Sequence, residues 1–209
     1  RISSPLMVKL AEEESFLDEL GLYIIKEACK DAQKLQKEGT PLSISVNISP
    51  KQLESAVFVR EVRRILQEVD LHDIQLILEV TERSLLSTSG RILERIRELK
   101  QLGIQMSMDD FGMGHSSMMY LQENAFDEVK LDGSLVRQIL ENERSRDIVR
   151  GITRLAASMQ FHVVAEFVET REQMELLKAL HCDIYQGYYY GKPCSCDEFI
   201  IKYLKQEPR

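Results

Sequence analysis

Two adjacent acids, Asp109 and Asp110, close the apolar run that opens QMSMDDFGMGHSSMMY, residues 105–120. Neighbouring like charges repel, and a carboxylate drawn out of water is costly unless a cation or hydrogen bonds compensate it. The first chemistry they raise is metal binding. Other polar donors recur at comparable places: Asn47 in LSISVNIS, Glu79 in IQLILEVT, Lys130 in DEVKLD, Glu166 in FHVVAEF and Gln186 in DIYQGYY. Asn47, Glu79 and Asp109 supply a neutral oxygen and two carboxylates, the ligands that hard cations such as Mg²⁺ and Mn²⁺ take. Asp110 suits a second ion, as in two-metal phosphoryl hydrolysis, where the ions sit about 3.5–4 Å apart. Glu166 suits that second ion or a proton transfer. Lys130 suits orienting an attacking water or neutralising a phosphoryl oxygen. Each residue taken singly has an ordinary explanation: an acid after a strand often caps a helix, and a lysine at a strand end is often an ion-pair partner. Six successive strands carrying such a residue near the same end point to a shared site.

The glycines of DFGMGHSS allow backbone angles that other residues avoid. That loop reads as a mobile lid or dimer contact, or as a tight turn with Ser116 as helix cap. Glu82, three residues after Glu79, and Glu169, three after Glu166, are placed to hydrogen-bond around the site. His115 alone of the four histidines falls in this loop; His72, His162 and His181 have no metal-ligand spacing.

The elements that must position these residues alternate. Strands are expected at 42–49, 74–81, 104–109, 127–132, 161–167 and 183–189. Helices are expected at about 15–38, with Ser15 as its cap, and at 58–70, 90–103 and 144–160. In the last, Ile148, Ile152, Leu155 and Met159 follow helical spacing. Near-continuous apolar strands alternating with amphipathic helices imply a parallel sheet covered by helices. The fold class is α/β, and an eight-stranded barrel gathers the strand ends at one mouth, where a doubly wound sheet would spread them. About six of eight strands are visible, so two are expected upstream of Arg1.

The chain has 209 residues, 44% hydrophobic and 29% charged, ordinary for a globular domain. A net charge of −7 argues against affinity for long nucleic acid. No apolar run approaches the roughly 18 residues of a membrane span, and RISSPLMVKL is not a signal peptide. Cys29, Cys182, Cys194 and Cys196 show neither a disulfide framework nor a zinc-site spacing. The sequence reads as cytoplasmic, or as the cytoplasmic domain of a membrane-anchored protein.

SVNISPKQL, LEVTE, MDDFGMGHSS, EVKLD, VVAEFVET and IYQGYYYGKP resemble, in order, the motifs of the EAL domain, over nearly all of residues 1–209. The resemblance implies a modified TIM (βα)8 barrel that hydrolyses cyclic di-GMP to linear pGpG with Mg²⁺ or Mn²⁺, two ions being expected and Ca²⁺ inhibitory. It implies that Asn47, Glu79, Asp109 and Asp110 are metal ligands and that Lys130, Glu166 and Gln186 are catalytic, with Lys130 positioning the nucleophilic water. Glu82 and Glu169 resemble the glutamates that support the loop Phe111, Gly112, Met113, Gly114, His115, Ser116 and Ser117, the family's dimerisation and signalling loop. A homodimer and an upstream sensor or GGDEF domain are the expected partners.

The chain departs from the family in three places. The Glu-Ala-Leu signature is absent and is expected on a strand before Arg1, so residues 1–209 alone are not expected to be a competent hydrolase. AEGVET reads AEFVET, with Phe167 for Gly. The loop carries Met113 and His115 where DFGTGYSS has Thr and Tyr. The alternative to catalysis is a degenerate domain that binds cyclic di-GMP as a receptor, or serves as a dimerisation module.

Overall fold

The computed structural model describes residues 7, 10, 11, 13, 16–36, 42–69, 71, 74–85, 91–112 and 118–204. Its strands are β1 (Leu42–Asn47), β2 (Ile74–Thr81), β3 (Gln105–Phe111), β4 (Glu128–Leu131), β5 (His162–Ala165) and β6 (Ile184–Tyr185). The helices are α1 (Leu17–Gln36), α2 (Pro50–Glu54), α3 (Ala56–Glu68), α4 (Glu82–Leu85), α5 (Ile92–Lys100), α6 (Met118–Gln122), α7 (Gly133–Arg137), α8 (Glu143–Met159), α9 (Arg171–Ala179) and α10 (Cys196–Phe199), the last running into a π-helical turn, Ile200–Leu204. In the sheet the strands lie in chain order, β1 to β6. A doubly wound sheet reverses its order partway, whereas unbroken order is the winding of a (βα) barrel. Six of its strands lie among the described residues.

The chain divides into two compact units, residues 1–78, 89–104 and 195–209 in one, and 79–88 and 105–194 in the other. In the first, α1 buries Ile25, Cys29 and Ala32 at helical spacing. The SPKQ segment after β1 makes a capping box. Ser49 Oγ accepts from the Gln52 N–H, Gln52 Oε1 accepts from the Ser49 N–H at 2.8 Å, and Pro50 takes the first helical position. Gln52 Nε2 donates to the Leu17 carbonyl, passing so close to Gly21 that a Cβ there would lie 1.9 Å from it. The turn that follows Asn47 is therefore locked to α1.

In the second unit β3, β4, β5 and β6 pair in parallel. Asp127 and Asp183 precede their strands and accept from the neighbouring strands' Met106 and Val163 N–H groups. These bonds fix register at the ends opposite the candidate site. Expected boundaries move at most elements, and at two strands the cause is plain. Strand β5 stops at Ala165 because Phe167 has φ +55°, which breaks the extended run. Strand β6 keeps two residues, because the Gln186 carbonyl turns to accept from the Val168 N–H. Helix α8 buries Ser145, Val149, Ile152, Thr153 and Ala156, whereas Ile148 is 39% exposed. The spacing is as expected but the buried stripe is centred one residue later. The expected cap Ser15 lies outside the described residues.

Candidate active site

Strand β3 is irregular where the two acids stand. Met108 is level with Val129 and Phe111 with Leu131, so Asp109 and Asp110 together oppose the single residue Lys130. This is a bulge, and bulges re-aim side chains beside functional sites. Asp110 has φ +56°, a left-handed conformation that Asp tolerates better than most residues. Its N–H donates to Asp109 Oδ1 at 2.9 Å. In a regular strand adjacent side chains would point to opposite faces; the bulge breaks that alternation. Burial raises the Asp110 pKa, and the charges of Asp109 and Asp132 raise it further against an opposing pull from Lys130.

Lys130 is 5% exposed on β4. Its ammonium lies 2.7 Å from Glu166 Oε1, 2.8 Å from Glu79 Oε2 and 4.0 Å from Asp109 Oδ1. Burial alone would lower the lysine's pKa, but the Glu79 charge and its hydrogen bonds to both glutamates outweigh burial and hold it above the ordinary lysine value. Glu166 just follows β5. Burial raises its pKa, opposed by the hydrogen bond and charge of Lys130. Three of the expected acids thus meet at one buried cation, itself an expected site residue.

The other expected residues are placed as follows. Glu82 begins α4, buried, and accepts from the Gly112 N–H at 3.3 Å, so it holds the start of the loop after the double acid. Phe111 is buried and Gly112 has φ +110°; Met113, Gly114, His115, Ser116 and Ser117 lie outside the described residues. Gln186 is exposed, its backbone fastened to Ala165 and Val168. Glu169 is exposed beside the α9 cap, its N–H donating to Gln173 Oε1. Asn47 is exposed at the end of β1. Sequence reasoning missed Asp132, which caps α7 through the Ser134 N–H at 2.7 Å and bears electrostatically on Asp110. The acid-glycine-serine order after β4 was its signal. It also missed Glu128, a buried acid two residues before Lys130 on the same strand.

The donors are hard oxygens, which fits Mg²⁺ or Mn²⁺. Among the described residues no three acids, histidines or cysteines form a ready metal site as they stand. The acids meet the lysine ammonium instead, which shows that their environment favours positive charge.

The EAL domain family model matches residues 1–193. The chain is 34% identical to the cyclic di-GMP phosphodiesterase NbdA of Pseudomonas aeruginosa, over 94% of this chain and 26% of that protein. It spans about a quarter of the length of this and other curated relatives. The solved structure of the EAL enzyme Bd1971, bound to cAMP and cyclic di-GMP, superposes with a TM-score of 0.85 at 30% identity, covering 96% of this chain and 55% of that one. The PaMucR phosphodiesterase in complex with c-di-GMP superposes at 0.83 and 31% identity, covering 95% and 81%. Sequence and fold agree on one conclusion: this chain belongs to the EAL domain family.

Proposed function

We propose that this domain hydrolyses cyclic di-GMP to linear pGpG with Mg²⁺ or Mn²⁺. The observation that carries the reading is the buried Lys130 ammonium gripped by Glu79 and Glu166, with the bulged Asp109–Asp110 pair opposite. Relatives named as cyclic di-GMP phosphodiesterases support it. In this reading Asn47, Glu79, Asp109 and Asp110 hold divalent ions. Bound there, such ions polarise the phosphodiester and acidify an attacking water. Lys130 is a fixed donor to that water or to a phosphoryl oxygen. Glu166 holds the lysine in place and completes the negative wall. Gln186 would take part in catalysis, and Glu82 anchors the loop that begins at Phe111. The wider protein would add a sensor or GGDEF domain, with the EAL domain dimerising through the loop.

The test is chromatographic detection of pGpG from cyclic di-GMP with Mg²⁺, Mn²⁺ or Ca²⁺, run on this chain and on the longer protein that contains it. Cleavage with Mg²⁺ or Mn²⁺ and none with Ca²⁺ is expected of the longer protein. Tight binding without cleavage under every ion would make the domain a receptor.

A further inference from the structure

Phe167 is an aromatic residue at φ +55°, 42% exposed, directly after Glu166. A bulky residue there is strained and persists only where its surroundings over-determine it. They do: the Val168 N–H donates to the Gln186 carbonyl, and the Tyr189 N–H to the Val168 carbonyl, both at 3.0 Å. The ring itself is also held. The Arg137 guanidinium lies over one face, 4.1 Å from the centroid. Gly133 also lies against the ring, so close that a Cβ there would fall 2.4 Å from ring carbon Cδ2. Gly133 and Arg137 are four apart on α7 and therefore share a helix face.

The level of this ring is fixed by the sheet. Lys130 is level with Val164 and Leu131 with Ala165. Gly133 and Phe167, each two residues beyond those strand ends, leave adjacent strands side by side. The ring thus stands at the same end as the Lys130 cluster, and 42% exposure leaves part of it open to a ligand. A half-exposed phenyl ring backed by a guanidinium is a surface on which flat aromatic rings stack.

We propose that Phe167, backed by Arg137, is a stacking platform for a guanine base of the cyclic dinucleotide and so sets affinity for it. This rests on the reading of the site as a cyclic di-GMP site. The lysine cluster handles the phosphodiester; the ring handles the base. Stacking on an aromatic side chain is worth roughly 5- to 150-fold in affinity per base.

Residues 1–209 have no tryptophan, so Phe167→Trp puts a single tryptophan at the platform. Cyclic di-GMP is titrated into the wild type, Phe167→Trp, Phe167→Tyr, Phe167→Leu and Phe167→Gly in Ca²⁺, by calorimetry and, for the tryptophan variant, by fluorescence. Quenching of the tryptophan is expected, with the tyrosine and tryptophan variants within about threefold of wild type. The leucine variant should lose at least fivefold. The glycine variant, whose backbone adopts φ +55° without strain, should lose as much while remaining folded by circular dichroism. Wild-type binding with no quenching, and a leucine variant within twofold, would overturn the platform and leave the function standing. Equal losses in the tyrosine and leucine variants would make the ring a packing element and also overturn it. No binding by the wild type would bring down the functional reading and this inference with it.

Discussion

Lys130 is an ammonium between two carboxylates, and such a group is a poor base. Its folded pKa is raised, so its stabilising contribution is whole below the ordinary lysine value of roughly 10.4. That contribution fades only as pH rises through the higher folded value. Across the neutral range it stays protonated, so its work is to donate hydrogen bonds and charge rather than to take a proton. Lys130→Met in a competent protein should lower kcat by about 10²- to 10³-fold, the usual cost of one buried oxyanion-type donor, with cyclic di-GMP affinity little changed. It should also cost about 3–5 kcal/mol of metal-free stability, since Glu79 and Glu166 then face each other uncompensated. Steady-state kinetics and urea unfolding measure both. Unchanged kcat with weakened affinity would reassign Lys130 to plain phosphate binding. The wild-type pH–rate profile should show no limb from lysine deprotonation below about pH 9.

The elements deliver these residues through backbone contacts that side-chain patterning does not report. Gly187 shows the point. A Cβ there would lie 2.2 Å from the Val168 carbonyl oxygen and 2.4 Å from its nitrogen, and backbone cannot swing aside as a side chain can. Gly187→Ala should therefore cost about 2–3 kcal/mol. Gly103→Ala, at φ +84° but with nothing within 4 Å, should cost only about 1 kcal/mol for its backbone angle. Urea midpoints compare the two, and equal losses would mean that the 166–169 turn yields to the added methyl at 187. Much of the site was legible in the sequence because it depends on strand ends: Glu79, Asp109, Lys130 and Glu166 were all readable from apolar runs closing in polar residues. Glu82 was legible from its spacing to Glu79. The bulge was not, because Asp109 and Asp110 oppose one residue with no glycine to announce it. The short β6 was hidden because QGYY carries strand-forming aromatics while its carbonyls turn to the 166–169 segment. The stripe on α8 was placed one residue early because Ile148 and Val149 are equally apolar, and only packing decides between them. Phe167 was legible as a departure, Phe for Gly, but its φ of +55° and its seat against α7 were not, because only packing shows them.

At the scale of the whole molecule the charge is −7, and part of that excess is concentrated at one place. Glu79, Asp109 and Glu166 share a single lysine, with Asp110 and Asp132 raising the local negative potential. Surplus carboxylate at a partly buried site costs stability until a cation supplies the missing charge. An ion that binds the folded chain and not the unfolded one stabilises by mass action, about 2.7 kcal/mol at a hundred times its Kd. For a chain of this size that corresponds to a rise in Tm of about 5–10 °C. Thermal unfolding with Mg²⁺ or Mn²⁺ at saturating concentration, against NaCl of equal ionic strength, should show that rise with the divalent ions alone. Ionic strength only screens exposed charges and acts alike for both salts. Asp109→Asn with Asp110→Asn should abolish most of the shift while leaving the metal-free Tm equal to or above that of the wild type, since two repelling charges are gone. If the double variant kept the full shift, the ions would be acting elsewhere on the acidic surface, and the bulged pair would not be their site.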